Sequence, residues 1–269
     1  MTLQPTDATT GIGSLRIGEA IEVGSFLSVL EHRGLAPEWK VNAPVTGALP
    51  EATTVLALTW SNGVLMAGDR RATAGNVIAH RRVRKVYPSD EYSAVAISGT
   101  AGMAVELIKL FQTELEHYEK IEGARLSLEG KANYLARMIR GNLALAFQGL
   151  VVIPLFCGFD ADQAAGRLFS FDVVGGRYDE LSYATTGSGG AEAKSFLKSE
   201  WKEDLTREDA LSMAVEALVA AAEEDAATGG PDIKRGIYPN VVIVTAEGVE
   251  EIEDAELATI AETIVGGRP

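Results

Sequence analysis

The alternation of apolar and polar stretches predicts a β-hairpin near residue 53. One apolar run spans residues 53–60 and a second spans residues 64–67. Ser61-Asn62-Gly63 separates them, and Asn-Gly is a strong hairpin signal because both residues tolerate the positive φ of a tight turn. The pattern therefore predicts a strand that starts at Thr53 and a second strand that returns beside it.

This hairpin brings three chemically different side chains toward one place. Asp69 follows the return strand, so it should lie near the level of Thr53. The basic stretch Arg81-Arg82-Val83-Arg84-Lys85 comes after one short loop and brings Lys85 into the same layer. A hydroxyl, a carboxylate and an ammonium group are therefore predicted to converge at one sheet edge.

The rest of the pattern predicts strands and helices in alternating groups. A buried strand over residues 93–98 ends in Gly99, and helical stripes follow around residues 105–118 and 127–150. Later elements are strands at 151–159, 167–173, 178–185 and 238–244, and helices at 191–201, 207–224 and 254–265. Successive hairpins indicate antiparallel sheets and paired helices indicate covering layers, so the pattern predicts a mixed α+β domain.

Residues 1–52 do not share this pattern. They contain six glycines and four prolines, and nothing in them has the periodicity of a packed domain. By composition alone they form a tail in front of one folded domain, residues 53–269.

The overall composition excludes several classes of protein. With 46 % hydrophobic and 23 % charged residues, the chain is able to form an ordinary globular core. Its net charge of −14 disfavours nucleic-acid binding, which usually needs a basic face. No run reaches the length of a membrane helix and the N-terminus lacks a secretory signal pattern, so we expect a cytoplasmic protein without membrane contact.

Cysteine and histidine usage limits the possible chemistry. Cys157 is the one cysteine, so no internal disulfide forms and a buried apolar role is expected. His32, His80 and His117 lie in no local triad signature and are expected to be solvated. There is no metal-ligand cluster and no phosphate-binding or dinucleotide-binding glycine pattern, so we expect no metal and no cofactor.

Several motifs, in order, resemble the N-terminal threonine hydrolases of the proteasome β-subunit family, and the actinobacterial 20S type most closely. Asp69 and Lys85 follow Thr53 by sixteen and thirty-two residues, as in the family. The other motifs are Gly68-Asp69-Arg70-Arg71, Ser98-Gly99-Thr100-Ala101-Gly102, Gly187-Ser188-Gly189 and Asp225-Ala226-Ala227-Thr228-Gly229-Gly230. The resemblance covers nearly all of the chain from residue 53 onward. It implies a four-layer αββα sandwich, the N-terminal-nucleophile hydrolase fold.

The resemblance gives residues 1–52 the role of a propeptide that is cut between Ala52 and Thr53. A threonine hydroxyl is a weak nucleophile until a base removes its proton. The α-amine of a new terminal Thr53, with a reference pKa of about 8, is such a base. The family usually has glycine before the cut, so Ala52 is expected to alter the rate of processing rather than its occurrence.

The family roles carry over to six further residues. Lys85 is implied either as a cation that lowers the pKa values of the amine and the hydroxyl or as the proton acceptor, and Asp69 holds it in place. Gly99 is implied as the backbone donor of the oxyanion hole. The supporting polar residues are Ser188, Asp225 and Thr228. Without the resemblance, Lys85 reads as surface charge, Asp69 and Gly99 as turn residues, and Gly187–Gly190 as a flexible loop.

The resemblance also implies a pocket for the side chain that precedes the cleaved bond. Its expected lining is Ala72, Thr73, Val83, Ile97 and Ala101, none of them charged. Such a pocket favours large hydrophobic and aromatic side chains.

Partners follow from the same resemblance. Homo-heptameric β-rings stack between α-subunit rings as α7β7β7α7, and an ATPase ring delivers unfolded or tagged proteins through the α-rings. Two alternatives stay open: a catalytically silent β-subunit that only builds the ring, and an N-terminal-nucleophile amidase acting on a small substrate. A simpler bacterial two-ring protease is disfavoured by the long propeptide and the closing helix.

Overall fold

The computed structural model describes residues 53–267; the predicted propeptide, with Ala52, lies outside the described residues. The described chain contains two five-stranded antiparallel sheets and a two-stranded ribbon. The strands are β1 (Thr54–Trp60), β2 (Gly63–Gly68), β3 (Ala72–Ala74), β4 (Val77–His80), β5 (Val86–Asp90), β6 (Ser93–Gly99), β7 (Val152–Asp160), β8 (Ala165–Phe171), β9 (Arg177–Glu180), β10 (Tyr183–Gly187), β11 (Asn240–Thr245) and β12 (Gly248–Glu251).

The helices occur in three groups along the described chain, separated by β7–β10 and by β11 and β12. They are α1 (Ala101–Glu122), α2 (Leu128–Gly141), the short α3 (Leu143–Ala146), α4 (Gly190–Glu200), α5 (Arg207–Glu224) and α6 (Asp254–Gly266), with a 3-10 turn at Ile233–Arg235. Ser127 and Thr206 begin α2 and α5, because their hydroxyls accept hydrogen bonds from free N–H groups of the first turn.

The first hairpin forms where the sequence predicts it, although β1 starts at Thr54 rather than at Thr53. The first sheet has the strand order β10-β1-β2-β11-β12, and Val55 of β1 lies opposite Gly68 of β2. The backbone N–H of Asp69 donates to the carbonyl of Thr54 at 3.1 Å. Asp69 is thus beside the start of β1, as expected.

Alternating residues of β1 point to opposite faces of the first sheet and enter two separate cores. Leu56 and Leu58 pack with α4, α5 and α6, whereas Val55 and Ala57 pack between the two sheets. The second sheet, of order β5-β6-β7-β8-β9, places aromatic residues such as Phe156 against α1 and α2. These three cores separate four layers, which confirms the αββα sandwich.

The hairpin turn differs from its prediction in backbone conformation. Trp60 pairs with Gly63, so Ser61 and Asn62 form the turn, and neither these two residues nor Gly63 has a positive φ. Gly63 is needed for another reason, since a Cβ there would overlap the carbonyl oxygen of Val244 in the neighbouring β11. The Asn-Gly pair correctly predicts the position of the hairpin. The prediction that these residues adopt the positive φ of a tight turn is wrong.

Two predicted elements are divided in the structure. The strand expected over residues 178–185 is two strands, β9 and β10, which belong to different sheets and are separated at the 92 % exposed Leu181. The helix expected over residues 127–150 stops at Gly141, and the Asn142 side chain donates back to the carbonyl of Met138. Hydrophobic spacing does not show which sheet a strand joins. The sequence pattern therefore contains no signal for the change of sheet between β9 and β10.

Candidate active site

Thr53 directly precedes β1 and is buried, with 7 % of its surface exposed. Its carbonyl oxygen accepts a hydrogen bond from the backbone N–H of Ser188 at 2.9 Å. The preceding Gly187 has a φ of +101°, and a Cβ at this position would overlap the same carbonyl oxygen. Only glycine allows both features, so the segment from Gly187 to Ser188 fixes the backbone of Thr53.

Asp69 is fully buried, and its carboxylate accepts four hydrogen bonds. Oδ1 accepts from the backbone N–H of Thr54 at 2.8 Å and from the ammonium of Lys85 at 2.5 Å. Oδ2 accepts from the backbone N–H groups of Arg71 at 2.8 Å and Gly229 at 3.0 Å. These donors come from separate stretches of chain, and together they compensate the burial of a charge.

Lys85 reaches Asp69 from the opposite sheet. It precedes β5 of the second sheet, whereas Thr53 and Asp69 border strands of the first. The predicted single sheet edge is therefore wrong, although the predicted contact between Lys85 and Asp69 is present. Lys85 Nζ also donates to the carbonyl of Arg71 at 2.6 Å. Burial lowers the pKa of Lys85 below its ordinary value, and the Asp69 carboxylate offsets only part of this effect.

Asn240, at the start of β11, is a site residue that sequence reasoning missed. Its Oδ1 accepts hydrogen bonds from the backbone N–H of Val86 at 2.9 Å and of Lys85 at 3.3 Å. This buried amide therefore ties the backbone of Lys85 to the first sheet. A polar residue at the head of the apolar run Val241–Val244 is the signal that could have identified it.

The three supporting residues predicted from the resemblance form one hydrogen-bonded cluster. Ser188 Oγ and Thr228 Oγ1 each donate to Asp225 Oδ2 at 2.6 Å, and the backbone N–H of Ala227 donates to Oδ1 at 3.0 Å. Burial alone would raise the pKa of Asp225. The hydrogen bonds and the charge of Lys85 outweigh burial and hold this pKa below its ordinary value.

Gly99 ends β6, directly before Thr100, which is the residue preceding α1. The backbone N–H of Thr100 donates to the carbonyl of Val151 at 2.8 Å. Gly99 borders the same cavity as Thr53 and Lys85. The backbone predicted to stabilise an oxyanion therefore lies beside the threonine and the lysine.

That cavity is narrow, with a volume of about 20 Å³, which is room for roughly one water molecule. Among the predicted pocket residues, Ala72, Val83 and Ile97 line it, whereas Thr73 does not, and Ala101 is the first residue of α1. The remaining lining residues were not predicted: Arg84, Ser98, Ala104 and Val105. The last two lie one helical turn after Ala101, a spacing that could have identified them.

The cysteine and the described histidines are not among the residues that line this cavity. Cys157 is buried, and burial raises the pKa of its thiol far above the ordinary value. His80 and His117 are exposed, while His32 is outside the described residues. Within residues 53–267 no acidic, histidine and cysteine side chains gather as a metal-binding group, and no helix has the length and apolar character needed to cross a membrane.

Comparison with known proteins identifies close relatives. A family model described as "Proteasome subunit" matches residues 50–233. The chain is 56 % identical over 248 residues to a "Proteasome subunit beta" of Streptomyces griseus, covering 91 % of this chain and 88 % of that protein. It is also 56 % identical over 213 residues to a "Proteasome subunit beta" of Acidimicrobium ferrooxidans, covering 79 % of this chain and 78 % of that protein.

Proposed function

The chain belongs to the proteasome subunit family as a β-subunit of the 20S core, and from this premise we propose that it is a threonine-type endopeptidase with Thr53 as its nucleophile. Residues 1–52 are then a propeptide whose removal creates the active terminus. The substrates are unfolded protein chains, and no metal or cofactor takes part.

One observation carries this proposal more than any other. A single carboxylate oxygen, Asp69 Oδ1, accepts from both the buried Lys85 ammonium and the backbone N–H that follows Thr53. The nucleophile's main chain and the lysine therefore share one anchor. Such an arrangement supports proton transfer at Thr53, because a general base has to be held within reach of the proton that it removes.

The chemistry of peptide hydrolysis follows from these groups. Thr53 Oγ1 attacks the substrate carbonyl carbon while its proton passes to the α-amine or to Lys85. The tetrahedral oxyanion forms beside the backbone of Gly99, the proposed donor. The C–N bond then breaks, the leaving amine takes up the proton, and Thr53 retains the acyl group as an ester. Water attacks this ester, releases the second product as a carboxylic acid and restores the hydroxyl.

In the precursor the Thr53 nitrogen is the amide of the bond to Ala52, so it is no base. The same hydroxyl then attacks the Ala52 carbonyl carbon, the amide C–N bond breaks to free the Thr53 amine, and water hydrolyses the resulting ester to release the propeptide. Lys85 borders the same cavity as Thr53 and is the proposed proton acceptor for this step. Burial lowers the pKa of Lys85, so this lysine is deprotonated more easily than an exposed lysine, which supports Lys85 as the proton acceptor.

Catalytic silence is the main competing function for a β-subunit. A purely structural subunit needs neither a buried ammonium with a lowered pKa nor the second carboxylate cluster at Asp225. Buried ion pairs are a weak source of stability compared with apolar packing. Their presence beside Thr53 thus supports the peptidase. An amidase acting on a small substrate receives no specific support.

Assembly follows from family membership as part of the same proposal. The chain joins other copies in a seven-membered β-ring, two β-rings stack, and α-subunit rings close both ends. An ATPase ring docked on the α-rings supplies unfolded or tagged chains in the cytoplasm. Nucleic acid and membranes have no part in this function.

Turnover by assembled particles tests the proposal. A short fluorogenic peptide is offered to particles carrying the natural chain, Thr53→Ala or Thr59→Ala. Thr59 is a matched control in β1, because its hydroxyl bonds only the carbonyls of Leu181 and Ser182 in the described part of the chain. Thr53→Ala should abolish hydrolysis and leave the tail attached, whereas Thr59→Ala should stay within about twofold of the natural chain. Normal hydrolysis by Thr53→Ala would refute the proposed nucleophile.

A further inference from the structure

The residue after the proposed nucleophile, Thr54, has a hydroxyl in the middle of a buried hydrogen-bond chain. Thr54 is 0 % exposed. Its Oγ1 lies 2.5 Å from Thr228 Oγ1 and accepts a hydrogen bond from the backbone N–H of Gly189 at 2.9 Å. Neither partner is close in sequence, so β1 pairing alone does not explain the position of this hydroxyl.

The direction of every hydrogen bond in this chain is determined. Asp225 as a carboxylate only accepts, so the single proton of the Thr228 hydroxyl points to Asp225 Oδ2, at 2.6 Å. Thr228 Oγ1 is then the acceptor toward Thr54, and the Thr54 hydroxyl donates. The bonds run one way, from Gly189 N–H to Thr54, to Thr228 and to Asp225. Bonds aligned in this way polarise and strengthen one another.

The backbone of Thr54 is hydrogen-bonded to Asp69, which carries the other carboxylate of the site. Its N–H donates to Asp69 Oδ1, the oxygen that also accepts from Lys85. Its carbonyl accepts from the backbone N–H of Asp69 at 3.1 Å. The main chain of Thr54 is thus bonded to Asp69, and its side chain is linked to Asp225 through Thr228.

We propose that Thr54 is a positioning residue, whose hydroxyl aligns Thr228 and Asp225 with the Asp69–Lys85 pair so that both act on Thr53. Thr54 does not touch the substrate or exchange a proton with it. It acts through Thr228 and through the backbone that continues into Thr53. This inference rests on the proposed peptidase function and adds a residue to its machinery.

A side chain without a hydroxyl cannot replace Thr54 without leaving buried polar groups unsatisfied. Thr54→Val keeps the shape but removes the acceptor for Gly189 N–H and the donor for Thr228. Thr54→Ser keeps the hydroxyl and loses one methyl group. Comparing these two variants therefore separates hydrogen bonding from packing.

The experiment measures kcat and KM for a fluorogenic peptide, and the rate of propeptide removal, in assembled particles. Thr54→Val is expected to lower kcat about tenfold or more, with KM changed less than about twofold, since the lost alignment matters in the transition state. Propeptide removal should slow in parallel. Thr54→Ser should recover kcat to within about threefold, and the control Thr59→Val should match the natural chain. Thr54→Val in a Thr228→Val background should cost little more, because both changes break one chain.

Several outcomes would overturn the inference. One is a kcat for Thr54→Val within about twofold of the natural chain. Others are an equal loss in Thr54→Ser, or failure of Thr54→Val to assemble while Thr54→Ser assembles without normal turnover, each of which would indicate packing alone. Inactivity of the natural chain would instead refute the proposed function, so the two failures remain distinguishable.

Discussion

Strand β5 has a nearly buried lysine–aspartate pair at each of its ends, and the two pairs differ in their surroundings. At its start, Lys85 contacts Asp69 at 2.5 Å, with side chains 3 % and 0 % exposed. At its end, Asp90 contacts Lys131 of α2 at 2.6 Å, with side chains 19 % and 5 % exposed. Distance and burial of the lysine are almost the same in the two pairs.

What distinguishes the first pair is the set of groups around it. Asp69 is held by three backbone N–H groups, one of them adjacent to Thr53, and a second carboxylate cluster at Asp225 lies close enough to influence Lys85. Asp90 instead accepts from Tyr92 N–H and the Ser93 hydroxyl, within its own hairpin. A buried lysine is therefore not sufficient to indicate catalysis; convergence with a hydroxyl nucleophile and a second acid is the stronger signal.

The largest expected difference between the two pairs is in turnover. Lys85→Ala should lower peptide hydrolysis and propeptide removal by about 10²–10⁴-fold, the usual contribution of a general base. Its fold should persist, because Asp69 keeps three backbone donors. Lys131→Ala should retain turnover and lose about 1–3 kcal/mol of unfolding free energy. Peptide assays and thermal unfolding of both variants test this difference. A lower turnover of Lys131→Ala than of Lys85→Ala would contradict it.

The protonation state of Lys85 sharpens the contrast further. The pKa of Lys85 is lowered from 10.5 by burial, so the neutral amine becomes more abundant as pH rises through this lowered value. Activity should accordingly fall as pH decreases through it. Lys85→Arg keeps a cation that cannot deprotonate, and should be nearly as inactive as Lys85→Ala. A pH–rate profile of both forms is the measurement, and near-normal activity of Lys85→Arg would favour a purely electrostatic lysine.

A smaller effect is expected at Asn240, which supports only the first pair. Asn240→Ala leaves the N–H groups of Val86 and Lys85 without their acceptor, so we expect about 1–3 kcal/mol less stability. A displaced Lys85 should also reduce turnover roughly tenfold. The matched control is Asn62→Ala in the exposed hairpin turn, which should change neither quantity. Equal stability and equal turnover of the two variants would show that Asn240 does not support Lys85.

The smallest expected effect concerns substrate preference at the cavity beside the first pair. Ala72, Val83 and Ile97 offer apolar contact, and Arg84 and Lys85 border the cavity with positive charge. The cavity has room for about one water molecule in the free chain, so it has to widen when a substrate side chain enters. Peptides should then be cleaved several-fold faster after Tyr, Phe or Leu than after Arg, because the apolar lining favours apolar side chains and a buried cation finds no partner there. A peptide panel differing at that single position measures this preference. Faster cleavage after Arg would contradict it.

The sequence predicted the elements of the site better than their connections. The hairpin, the adjacency of Asp69 to the start of β1, and helix α5 over residues 207–224 all followed from local patterns. The crossover between β9 and β10 did not, because apolar spacing is the same whichever sheet a strand joins. For the same reason Lys85 was assigned to the sheet edge of Thr53 rather than to the opposite sheet.

Residues that act through long-range hydrogen bonds were missed altogether. Asn240 lies 155 positions from Lys85, and Thr54 lies 174 positions from Thr228. Neither carries a charge or belongs to a catalytic motif by itself. Their roles depend on which strands become neighbours, and short-range sequence patterns do not contain that information.

The central claim is that Thr53 becomes the first residue of the active chain, and the terminal residue of assembled, active particles tests it most directly. Amino-terminal sequencing together with intact-mass measurement should find a β-subunit that begins at Thr53, with residues 1–52 removed. A chain that begins at Thr54, or an intact tail in fully active particles, would contradict the account.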